Sequence, residues 1–273
     1  MKGFFEKEVK DKIMTEKDNQ KFAASNIFEG MTSISALINH YGENGRCIEK
    51  VCVDRAKQKS KAAEIGFLKA KSQELGFAFE FVDKDFLDAV TVGKTHGGII
   101  AYCTERVLPE LHPDMLCKDG FYVFLEGIED PYNFGYTVRS LYAAGVDGIV
   151  LPPRNWMNAA GVVARASAGT SEIIPMMVAE SDQICEIFHK RNYRILCAGI
   201  RDSVSIFDPN EDFKFPILLV IGGEKRGISR NILDFADQII RIDYGRAFRG
   251  SLSSTAAAAV LAFSLLQKNR LSK

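Results

Sequence analysis

Net charge is the first thing this 273-residue sequence lacks: 35 lysines and arginines offset 35 aspartates and glutamates. That argues against a protein that holds nucleic acid by bulk positive charge, so any grip on phosphate must come from local clusters. Long apolar runs are absent as well. The apolar runs are short, as at 217–221, far below the roughly 20 residues of a membrane-spanning helix. Residues 1–20 are polar and mixed in charge, without the apolar stretch of a secretory signal. A cytoplasmic protein with no membrane contact is expected. Cysteine is sparse and scattered. Cys47, Cys52, Cys103, Cys117, Cys185 and Cys197 never fall at CxxC spacing, and no histidine stands at a zinc-like offset. This excludes a disulfide framework and gives no metal site to expect. No internal repeat recurs, and no early GxGxxG opens either half. A nicotinamide oxidoreductase on an ordinary doubly wound sheet therefore lacks its fingerprint.

What is present is 47% apolar content, enough for one large domain or two modest ones. Residues 1–24 read as an N-terminal extension. From 25 to 106 the pattern is a small α/β unit, with strands at 48–53, 77–82 and 97–103 and helices at 56–76 and 84–91. Residues 107–117, with Pro109 and Pro113, read as a linker. From 118 to 273 strand and helix signals alternate. Strands are expected at 121–127, 148–151, 173–178, 195–199, 217–221 and 238–242. Helices are expected at 136–144, 159–168, 181–191 with Ser181 as N-cap, 229–235 and 255–268. Such alternation implies a parallel sheet covered on both faces, with ligands beyond the carboxyl ends of its strands.

Three loops follow strand ends there. The first runs from Glu126 through Asp130, Pro131, Asn133 and Gly135 to a helix bearing Arg139. It reads as a plain turn, or as a site where Asn133 and the guanidinium fork of Arg139 meet phosphate or an oxyanion. The second, Gly222-Gly223-Glu224-Lys225-Arg226-Gly227, brings backbone within reach of a ligand and has neither dinucleotide nor Walker spacing. The third leads from Asp243 through Arg246, Arg249, Ser251 and Ser253 into the last helix. Its hydroxyls cap that helix or serve an anion at its N-terminus. Two basic sets accompany these: Arg55, Lys57, Lys59, Lys61, Lys69 and Lys71, which also suit a solvated face, and Lys225, Arg226, Arg230, Arg241, Arg246 and Arg249.

In this order and at these separations, the loops resemble the three motifs of the SpoU-type RNA methyltransferases of the SPOUT superfamily. Asp130-Pro131-x-Asn133-x-Gly135-x-x-x-Arg139-Ser140 is similar to the first, and Val220-Ile221-Gly222-Gly223-Glu224-Lys225-Arg226-Gly227-Ile228 to the second. The third departs. Where members read Ile-Pro-Met and Ser-Leu-Asn-Val-Ser, this chain has Ile242-Asp243-Tyr244 and Ser251-Leu252-Ser253-Ser254-Thr255. Residues 26–106 resemble the family's small substrate-binding domain, similar to a ribosomal protein, and Lys94-Thr95-His96-Gly97-Gly98-Ile99 resembles the turn before its last strand.

The resemblance implies a deep trefoil knot in residues 118–273, S-adenosyl-L-methionine as cofactor, and methyl transfer to a ribose 2′-hydroxyl of structured RNA. Ribosomal RNA is the first choice and transfer RNA the second; no DNA is expected. It implies a homodimer through the knot domain, with sites built from both subunits. Carried over, Arg139, Asn133, Glu224 and Ser251 are the catalytic candidates. Gly222, Ile242 and Leu252, with Ala198 and Gly199, are the cofactor candidates. Arg246 and Arg249, from the loop's own charge, and His96, from the turn, are the expected RNA contacts. The departures at Asp243 and Ser253 keep open an alternative, a catalytically inactive knotted RNA-binding protein.

Overall fold

The computed structural model describes residues 26–43, 45–91, 96–153 and 159–271. The expected N-terminal extension, and Lys94 and Thr95 of the turn, lie outside these residues. Contacts gather the chain into two units: Val107–Arg154 join Ile173–Lys273, while the stretch up to Arg106 joins Asn155–Glu172.

The first unit begins with β1 (Ile27–Glu29), α1 (Gly30–Asn39) and β2 (Ile48–Asp54), followed by α2 (Ala62–Leu75), β3 (Ala78–Val82), α3 (Lys84–Val90) and β4 (Ile99–Cys103). The strands stand in the order β1-β4-β2-β3, with β2 and β3 parallel and the other pairs antiparallel. Alternation along β2 sends Val51 and Val53 into a core with Phe28, Leu37 and Leu68, and Cys52 to the opposite face with Leu87 and Ile100. The sequence reading missed β1 and α1. One strand is three residues long, and the helix opens at Gly30 with no side-chain cap. The helix expected at 56–76 is shorter. Asp54 accepts from the Ala56 N–H at 2.9 Å and turns the chain through a 3-10 turn first. It ends at Gly76 in the left-handed conformation, as the sequence predicts.

The second unit opens with residues 107–117, the expected linker, packed rather than free. Leu111 and Leu116 are buried, and the Leu111 N–H donates to Val178 O at 2.8 Å. Then come β5 (Phe121–Leu125), α4 (Pro131–Ala143) and β6 (Gly148–Leu151). From β6 the chain passes to the first unit as α5 (Ala160–Ala166). There Ala160 and Ala164 join the core around Phe28, and a Cβ on Gly161 would lie 2.0 Å from Ile27 O. Beyond α5, Glu172 accepts from Arg46 Nε at 2.9 Å, both side chains being almost fully buried. Arg106 donates to Ser171 O at 2.6 Å.

The chain then returns as β7 (Met176–Val178), α6 (Ile184–His189), β8 (Arg194–Ala198), β9 (Val204–Ser205), β10 (Ile217–Ile221), α7 (Arg230–Leu233), β11 (Gln238–Arg241) and α8 (Ser254–Leu271). Seven strands form one sheet, β7-β6-β5-β10-β8-β11-β9, parallel at every pairing. The strands β5 and β10 are buried throughout, which explains their unbroken apolar sequences. Tyr122, Phe124, Leu218 and Val220 pack with Cys185, Phe188 and Ile232, and α8 lies along α4. Two-residue β9 was not anticipated, and Gln183, not Ser181, precedes α6.

Candidate active site

In the parallel ladder Ile221 pairs with Leu125, so β5 and β10 end level and their loops leave the sheet side by side. The Glu126 N–H donates to Ile221 O at 3.0 Å. Its carboxylate accepts from the Ser229 N–H at 2.8 Å, which pins the far end of the second loop. Gly127 presses on Gly223: a Cβ on Gly223 would sit 2.3 Å from Gly127 O. Glycine alone permits that approach. The second loop also closes on itself, since a Cβ on Gly222 would meet Gly227 C at 2.3 Å.

The third loop joins both others. Ser254 Oγ donates to Gly222 O at 2.9 Å, and Thr255 Oγ1 donates to Asn133 O at 3.3 Å. Asp130, at the N-cap of α4, accepts from the Asn133 N–H at 2.8 Å, with Pro131 in the first turn. Asn133 therefore belongs to the helix and not to a loop, and α4 starts five residues earlier than expected. These contacts surround a cavity of about 600 Å³. Glu126, Glu129, Asp130 and Glu224 face it beside Lys225 and Arg226, with Asn133, Ser229, Ser254 and Thr255 on its walls. It offers ordered hydroxyls, backbone groups and charges of both signs, a polar lining suited to a sugar or base.

Of the expected catalytic residues, Asn133 and Glu224 line this cavity; Arg139 and Ser251 do not. Arg139 is exposed six residues beyond Asn133, about 9 Å further along the helix axis. It shares an exposed stripe with Tyr132 and Tyr136. The cofactor candidates gather elsewhere along the same sheet edge. Ala198 ends β8 and Gly199 follows it, Gly222 follows β10, and Ile242 follows β11, three neighbouring strands in the order β10-β8-β11. The Gly199 N–H donates to Ile240 O at 2.9 Å. Leu252 is held by its N–H to the Tyr244 hydroxyl at 3.1 Å. Asp243, in the place of the family's proline, accepts from Arg241 Nε at 2.8 Å. Hydrogen bonds from Ser205 and Arg241 hold its carboxyl below the usual range.

Arg246 and Arg249 are exposed. His96 is not. It is 4% exposed, its Nδ1 accepts from the Gly98 N–H at 2.9 Å, and its Nε2 lies 2.9 Å from Asp88 Oδ1. The expected RNA contact is corrected to a turn residue whose ring is used up inside its own unit. Sequence reasoning missed Glu126, Ser254 and Thr255 as the fasteners of the three loops. Their only signal was position, at a strand end and a helix start.

Among the described residues there is no cluster able to hold a metal ion, and no helix is long and apolar enough to cross a membrane. Residues 28–107 match the family described as RNA 2′-O ribose methyltransferase substrate binding, and residues 120–263 match the SpoU rRNA Methylase family. The TrmH family protein YacO of Bacillus subtilis is 30% identical over 73% of this chain and 80% of its own length. The 23S rRNA (guanosine-2′-O-)-methyltransferase RlmB of Shewanella oneidensis is 25% identical over 89% of this chain and 98% of its own. The AdoMet-bound rRNA methyltransferase of Sinorhizobium meliloti has the same fold, with a TM-score of 0.71, 21% identity and coverage of 91% of this chain and 93% of that one. The second match alone spans more than half of the 273 residues and encloses all three loops, so the chain belongs to the SpoU rRNA methylase family.

Proposed function

We propose that this protein transfers a methyl group from S-adenosyl-L-methionine to a ribose 2′-hydroxyl of ribosomal RNA. The observation that carries the reading is the mutual fastening of three loops that follow β5, β10 and β11, which turns dispersed motif residues into one walled site. When bound, the cofactor supplies an electrophilic sulfonium methyl. The ends of β8, β10 and β11 suit it: Ala198, Gly199, Gly222, Ile242 and Leu252 are all partly accessible, and glycines leave backbone groups open to a ligand. The protein's own task is to hold the ribose and stabilise its oxygen as the hydroxyl proton passes to solvent. Asn133 holds the sugar. Arg139, a guanidinium that stays protonated, positions a phosphate and stabilises the developing alkoxide. Glu224 orients the loop beside Lys225 and Arg226, and Ser251 contacts the nucleotide.

The assembly is a homodimer through α4 and α8, in the knotted topology the family implies. Exposed Tyr132, Tyr136 and Tyr142 on α4 and Phe263 on α8 supply an apolar face for it. Arg139, on that stripe and outside its own cavity, then serves the partner's site. Transfer RNA is the second substrate class. Calorimetric titration with S-adenosyl-L-methionine, followed by mapping of 2′-O-methyl marks on rRNA with and without the protein, tests the proposal. One cofactor per subunit and one lost mark support it. A folded dimer that binds RNA but no cofactor, even with RNA present, favours the inactive RNA-binding protein to which Asp243 and Ser253 point.

A further inference from the structure

The loop between β11 and α8 presents two aromatic rings that methyl transfer leaves unused. Tyr244 and Phe248 are 37% and 59% exposed, with ring centroids 5.8 Å apart and planes tilted by 56°. Each ring has a contact within the loop. The Tyr244 hydroxyl accepts from the Leu252 N–H at 3.1 Å, and Phe248 lies over Gly250, where a Cβ would stand 2.6 Å from the ring. Large aromatic surface left open favours a flat apolar partner. Arg246 and Arg249 bracket Phe248 in sequence. Both are exposed, and neither has an ion pair among the described residues. The one acid of this stretch, Asp243, is already bonded to Arg241. Rings interleaved with free guanidinium groups are the chemistry that holds unpaired nucleic acid, the rings stacking on bases and the cations meeting phosphates.

We propose that Tyr244 and Phe248 form a stacking platform for an unpaired RNA base, with Arg246 and Arg249 on its neighbouring phosphates. The inference rests on RNA being the substrate. The test is fluorescence anisotropy with a short labelled oligoadenylate RNA and with an abasic strand of the same ribose-phosphate backbone. Phe248→Ala weakens oligoadenylate binding about tenfold, leaves the abasic strand unaffected and keeps the salt slope. Phe248→Trp retains binding. Arg246→Ala and Arg249→Ala each lower the salt slope, by about 0.7, on both strands.

Unchanged oligoadenylate affinity in Phe248→Ala, or an equal loss on the abasic strand, overturns the platform. So does loss of S-adenosyl-L-methionine binding with RNA binding intact, which assigns the rings to the cofactor, or a fall in oligomer mass, which assigns them to a second copy. Should the wild type bind no cofactor yet show the base-dependent pattern, the methyltransferase reading fails and the platform stands.

Discussion

The Ser254 hydroxyl donates to the Gly222 carbonyl oxygen at 2.9 Å, fastening the start of the last helix to the residue that follows β10. Ser254 is 9% exposed, so the bond is shielded from water. Ser254→Ala is expected to cost about 1 kcal/mol of stability and to weaken cofactor binding, while Ser254→Thr retains both. Thermal melts beside calorimetry check this, and an unaltered melt and affinity in the alanine variant would remove Ser254 from the set of loop fasteners.

Gly222→Val is expected to damage the loop itself. The added Cβ would meet Gly227 backbone at 2.3 Å, and overpacking of that kind costs about 1–3 kcal/mol. A lowered melting temperature together with lost cofactor binding is the expected result. Lost binding with an unchanged melt would instead make Gly222 a pure pocket wall.

Arg139→Ala should leave the fold untouched, since the residue is exposed, and lower methyl transfer by roughly 100- to 1,000-fold. Mixed dimers distinguish whose site it serves. If Arg139 acts on the partner, pairing Arg139→Ala with Asn133→Ala rebuilds one complete site, and activity returns that neither homodimer has. If it acts within its own chain, the mixed dimer is as inactive as its parents.

Thiol chemistry offers a pH-dependent check. Burial pushes Cys185 up to about 11 and Cys197 to about 12, so both stay protonated thiols at pH 8. A thiol-specific reagent should modify exposed Cys117 in the native protein and reach Cys185 and Cys197 only after unfolding. Rapid native labelling of either buried thiol would contradict the packing around α6.

In the first unit, Glu172→Ala should destabilise by about 3–5 kcal/mol, because Arg46 is left charged and buried. The double variant Arg46→Met, Glu172→Leu should regain most of that loss. Denaturant titration measures both, and a harmless Glu172→Ala would mean that water reaches Arg46.

Much of the site's scaffold was legible because apolar runs such as 217–221 and 121–125 announce buried strands, and glycines and Asp-Pro mark where they stop. Ala198, Gly222 and Ile242, cofactor candidates that the family resemblance implied, fall at or just beyond those strand ends. Register is not written in such runs. Nothing in the sequence says that Leu125 stands beside Ile221, so the meeting of Gly127 with Gly223 and the bond from Glu126 to Ser229 were out of reach. His96 misled because a polar residue in a glycine turn reads as exposed, whereas Asp88 and the Gly98 N–H satisfy it inside. The helix expected at 159–168 forms as Ala160–Ala166, but in the first unit and not in the 118–273 domain to which the sequence reading gave it. The partners of the stretch 159–172, Phe28 and Arg46, lie more than a hundred positions earlier and left no local trace.

That stretch has a consequence for synthesis. A growing chain folds from its N-terminus as it emerges, at about 5–20 residues per second. The core around Phe28 cannot close at Arg106, because Ala160, Ala164 and Glu172 belong to it. The ribosome must deliver all residues through Glu172, about 3–13 seconds later at those rates, before the first unit has its full interior. Through that interval the four-stranded sheet, whose last strand ends at Cys103, leaves uncovered the part of its core that Ala160 and Ala164 later fill.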